Sequence, residues 1–145
     1  MRTRLLALLL LVPLLAGCGI VEGAIKEATG NDVDVAIGSL PEGWPAEVPV
    51  TEGDIIGGGS AAGENGDPVW NASIKTTTNV FDAISAQLTE AGFTAVDTGP
   101  IEGTDNVSGG AFTNSTYSVL VGVTGDAEAW IVSYTVATGD PANLQ

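Results

Sequence analysis

The chain has 145 residues, of which 18 are acidic, 4 basic and none histidine, giving a formal net charge of −14. That length suits one domain with a modest core, and so acidic a surface repels both nucleic acid and anionic lipid. Without histidine, and with Cys18 as the single cysteine, no Ser-His-Asp or Cys-His constellation, zinc site, iron–sulfur site or internal disulfide is available, and no cofactor is expected.

The N-terminus carries Arg2 and Arg4 and then an almost unbroken apolar run from Leu5 to Ala16. Basic residues followed by about a dozen apolar ones form the n- and h-regions of an export signal. The run falls short of the ~20 apolar residues that a spanning helix needs, and Pro13 interrupts it. It ends in Leu15-Ala16-Gly17-Cys18, which resembles the bacterial lipobox: an aliphatic residue, two small residues and a cysteine. The resemblance implies that Leu15, Ala16 and Gly17 are read by the signal peptidase and that the Cys18 thiol takes a diacylglycerol. Cleavage would fall between Gly17 and Cys18, leaving the protein lipid-anchored on the extracytoplasmic face of the membrane. Two or more acyl chains give stable attachment where one alone is marginal.

Residues 18–39 read as the lipidated N-terminus and a flexible tether. A short amphipathic stretch, Val21 to Ala28, is broken by Thr29-Gly30-Asn31-Asp32. Residues 40–138 read as one α+β domain. Its entry is the proline-rich Leu40–Val50 segment, whose three prolines favour extended backbone and whose Trp44, Val48 and Val50 are expected to pin against one end of the core. Asp54 to Ala61 reads as a strand. Val69 to Thr76 alternates, with Trp70 and Ile74 on its apolar face. Thr78-Asn79 suits a helix start. Val80 to Ala91 places Phe81, Ile84 and Leu88 on one stripe with Asp82 in the first turn, and Gly92 supplies the stop before Phe93. Phe93 to Asp97 is a short strand, Thr98 to Asp105 a loop, and a strand starts at Ala111–Thr113. Tyr117 to Thr124 and Glu128 to Thr138 alternate and read as a hairpin across Gly125-Asp126. Residues 139–145 read as a tail. The expected fold is α+β: an antiparallel sheet of four to six strands with one helix packed on one face, a two-layer sandwich.

Few residues stand out as sites. Trp70 and Trp130 fit the core, whereas Trp44 is a candidate binding surface as well as a core residue. Asn31-Asp32-Val33-Asp34 has the spacing of the start of a calcium loop but lacks the later ligands and glycine. Gly57-Gly58-Gly59-Ser60 lacks the lysine of a phosphate cradle and better suits a bulge or strand end. Leu40-Pro41-Glu42-Gly43-Trp44-Pro45, the tryptophan strand, the helix ending Leu88-Thr89-Glu90-Ala91-Gly92-Phe93 and the low lysine content together resemble small lipoproteins of high-GC Gram-positive bacteria. This resemblance implies the compartment and the fold but no activity. The expected role is non-catalytic binding or an accessory task at the cell envelope, with an envelope protein or glycan as partner, no nucleic acid, and the membrane reached through the lipid. Two alternatives are a small hydrolase of envelope glycans that uses paired carboxylates and a structural envelope component.

Overall fold

The alternating stretches form one antiparallel sheet. A computed structural model of the chain describes residues 33–97 and 105–139. In chain order the elements are β1 (Val33–Ile37), β2 (Asp54–Ala62), β3 (Pro68–Thr76), α1 (Phe81–Glu90), β4 (Thr94–Val96), β5 (Val107–Thr113), β6 (Tyr117–Gly125) and β7 (Trp130–Thr138). The sheet order is β1-β2-β3-β7-β6-β5-β4, and every neighbouring pair is antiparallel. β1 to β3 form a meander. α1 then carries the chain across to the far edge, and β4 to β7 step back until β7 pairs with β3.

The α+β, antiparallel character agrees with the sequence reading, but the sheet has seven strands instead of four to six. The additional strand is β1, which lies in the stretch assigned to the tether. β5 also begins at Val107, four residues before the expected start, and β7 begins at Trp130, two residues later than expected. The stretches expected to be the signal segment, the lipobox and most of the tether lie outside the described residues, as do residues 98–104 and 140–145.

Period-2 alternation decides which side of the sheet becomes the core. Trp70, Ile74, Val132, Tyr134, Val136 and Val119 are buried on one face, joined by Val121, Val123 and Phe112. Two elements cover this face. The α1 stripe supplies Ile84 and Leu88, both 0% exposed, while Phe81 packs against Phe112 at a ring-centroid distance of 6.4 Å. A Cβ at Gly110 would lie 3.1 Å from the Phe81 ring, so the glycine makes room for that ring. The proline-rich entry covers the rest: Val48 is buried, and Trp44 and Val50 pack against the same cluster.

Local hydrogen bonds set the boundaries. Asn79 Oδ1 accepts from the Phe81 N–H at 3.0 Å, and Asn79 Nδ2 donates to Ser108 Oγ at 2.8 Å, tying the start of α1 to β5. At the other end Gly92 has φ +92°. The Phe93 N–H donates to Leu88 O and the Gly92 N–H to Thr89 O, the paired bonds of a Schellman stop. Phe93 then folds back into the core at 2% exposure. In the β6–β7 turn, the N–H groups of Glu128 and Ala129 donate to Asp126 Oδ1, holding that carboxyl below its ordinary pKa.

Candidate functional site

Two surfaces remain once the core is assigned. The first is a cleft of about 540 Å³ between the first turns of α1, the start of β2 and the end of β3. Glu52, Asp54 and Lys75 line it, with Thr76 to Thr78 and Gln87. Asp54 and Lys75 face each other in register across β2 and β3. Gln87 Oε1 is buried there without a hydrogen-bond partner among the described residues. Glu52 and Asp54 are both exposed, without the apolar enclosure that general acids of glycosidases use. Among the described residues no group of three or more His, Cys, Asp or Glu side chains is placed to hold a metal ion.

The second surface is the sheet face opposite α1. Register puts Gly57, Ser73, Ser133, Gly122 and Gly109 side by side across five strands. Leu120 and Val107, at 41% and 39% exposure, rise beside this row. No aromatic side chain projects from this face; Trp70, Tyr117, Trp130 and Tyr134 share the helix side, as the strand register requires.

The sequence-derived sites separate as follows. Leu15, Ala16, Gly17 and Cys18 lie outside the described residues. Trp44 is partly buried; its indole N–H donates to Val48 O at 3.1 Å, and its ring meets Tyr134 edge-on with centroids 6.3 Å apart. Its polar atom is thus spent within the entry segment. Asn31 and Asp32 lie outside the described residues, while Val33 and Asp34 stand in β1, a strand rather than a loop. Asp34 Oδ2 accepts the Glu42 N–H at 3.0 Å. Gly57, Gly58 and Gly59 are interior to β2, beside a bulge between Ile55 and Gly57. A Cβ on Gly58 would collide with Asn71 O, so the glycines allow close backbone approach and form no phosphate loop. The cleft itself drew no notice in the sequence, because Glu52, Lys75 and Gln87 come from three separate places, the loop before β2, the end of β3 and α1. Comparison of the chain with protein-family models, with curated proteins and with solved structures finds no match.

Proposed function

We propose that the protein is a lipoprotein of the bacterial cell envelope, anchored through acylated Cys18, whose domain binds a partner without catalysing a reaction. The observation that carries the anchor is Leu15-Ala16-Gly17-Cys18 after a basic and apolar leader, with Cys18 the single cysteine of the chain. A lone thiol in an exported protein is a liability, and acylation accounts for both its presence and its solitude. No helix among the described residues is long and apolar enough to cross a membrane. Because β1 starts at Val33, the link from Cys18 is about 15 residues long and reaches at most roughly 50 Å when extended. Attachment rests on acyl chains, since the chain's net charge of −14 opposes anionic headgroups.

The test is metabolic labelling with an alkyne-bearing fatty acid. The wild-type chain takes up label and sediments with membranes. Cys18→Ser loses the label and moves to the soluble fraction; a variant that stays membrane-bound without label rules out the lipid anchor.

A second reading follows from Glu52 and Asp54 lining one cleft: a carboxylate-dependent hydrolase of envelope glycans. Release of soluble glycan fragments that stops in Glu52→Gln or Asp54→Asn would replace the binding reading with this one. The exposure of both side chains favours binding.

A further inference from the structure

The sheet has two edges, and they differ. β4 has three residues, whereas β1 has five, Val-Asp-Val-Ala-Ile, and pairs only with β2 among the described residues. Natural edges are blunted by short length, charged side chains, proline or a bulge; β1 carries one charge, Asp34, and neither lysine nor proline. Its inner neighbours are Gly59, Gly58 and Gly57, opposite Val35, Ala36 and Ile37. A Cβ at Gly59 would stand 2.6 Å from Asp34 O, so β1 is seated by close backbone contact with little side-chain interlocking. None of its side chains belongs to the core cluster.

This ribbon also carries the most exposed large apolar side chains of the described residues. Ile37 is 66% and Ile56 49% exposed, and the Gly38 N–H, just past β1, donates to Ile56 O in β2 at 3.0 Å. Val33 and Val35 share a face with Ile37 by alternation. The flanks are acidic: Asp34 lies in β1 and accepts the N–H of the exposed Glu42, and Glu64 is exposed in the turn after β2, whose Ala61 pairs with Val33. Lys75, in β3, is the only lysine or arginine among the described residues.

We propose that β1 takes up an extended, lysine- or arginine-bearing segment of another protein as an eighth strand. Backbone hydrogen bonds to the edge of β1 that no described strand covers supply affinity. One set of the incoming side chains packs beside Val33, Val35 and Ile37, and the alternate set brings cations to the exposed Glu42 beside β1. Charge selects this occupant over a second copy, because pairing two chains of net charge −14 sets like against like. The inference rests on the binding reading above and is independent of the lipid anchor.

The test uses the full 15N-labelled chain in non-ionic detergent micelles, titrated at low salt with a short peptide alternating lysine and valine, and with its glutamate–valine counterpart. Amide shifts are expected at Val33–Ile37 and Gly57–Gly59, with the lysine peptide binding about tenfold or more tightly than the glutamate peptide. Glu42→Lys with Glu64→Lys, both on exposed side chains, should erase most of that preference. Shifts confined to the cleft or the glycine–serine face overturn the edge assignment and leave the binding reading standing. Equal affinity for the two peptides, or no shift with either, also overturns it. Edge shifts that depend on protein concentration without peptide assign the edge to a second copy instead.

Discussion

Tyr134 shows how one side chain joins two parts of the fold. It is 0% exposed in the middle of β7, and its hydroxyl accepts the Thr51 N–H at 3.0 Å. That bond pins the proline-rich entry across the sheet, next to the edge-on contact with Trp44. Burial pushes the phenol up from 10.0 to about 12, the bond from Thr51 acting in the opposite direction. Because the folded value is raised, the contribution to stability is fully present below pH 10.0 and is lost as pH rises towards about 12. Ultraviolet titration of the folded protein should therefore show a tyrosinate step near 12 that Tyr134→Phe removes. The same variant should lose about 1 kcal/mol of stability in urea unfolding, the net worth of one hydrogen bond. An unchanged titration curve in Tyr134→Phe would contradict the burial of this phenol.

At the scale of elements, α1 and β1 occupy opposite ends of a stability range. α1 buries Ile84 and Leu88 completely and is closed at its C-terminus by Gly92 and Phe93. β1 has a half-buried to exposed pattern throughout and sits against glycines. Truncation inside a close-packed core removes transfer energy and leaves a cavity, whereas truncation of a half-buried edge side chain removes less transfer energy and leaves no enclosed cavity. Ile84→Ala should cost about 2–5 kcal/mol in urea denaturation and Val35→Ala less than about 1.5 kcal/mol. Hydrogen exchange should follow the same order, with β1 amides opening well before those of β6 and β7. Comparable losses for the two substitutions would mean that β1 belongs to the core.

For the whole molecule, charge is the dominant variable. With 18 acidic and 4 basic residues, the folded chain concentrates negative charge that the unfolded chain spreads out, and salt screens that repulsion. Raising ionic strength from about 0.01 M to about 0.15 M shortens the Debye length from roughly 30 Å to 8 Å. The melting temperature should rise over that interval and then level off. A fall would mean that attractive pairs outweigh repulsion, contrary to the scarcity of lysine and arginine.

How much of this was legible in the sequence follows from the range of each interaction. The helix and its stop depend on residues three or four apart, so Phe81, Ile84, Leu88, Gly92 and Phe93 announce them directly. The faces of β3, β6 and β7 depend on strict alternation of large apolar residues, which Trp70, Val121 and Tyr134 display. The proposed lipobox rests on the contiguous Leu15-Ala16-Gly17-Cys18, and the single cysteine, the absence of histidine and the acidity are matters of composition alone. β1 was assigned to the tether although Val33, Val35 and Ile37 alternate, because a five-residue run beside a presumed stalk becomes a strand only when the distant Gly57, Gly58 and Gly59 lie next to it. Trp44, open as surface or core in the sequence, was placed by Val48 and Tyr134. The cleft of Glu52, Lys75 and Gln87 exists only after β2, β3 and α1 have been brought together. The sequence by itself determined the charge and the local periodicities; only tertiary structure decided the strand count, the order of the sheet and which strands stand at its edges among the described residues, because those depend on which distant backbones meet.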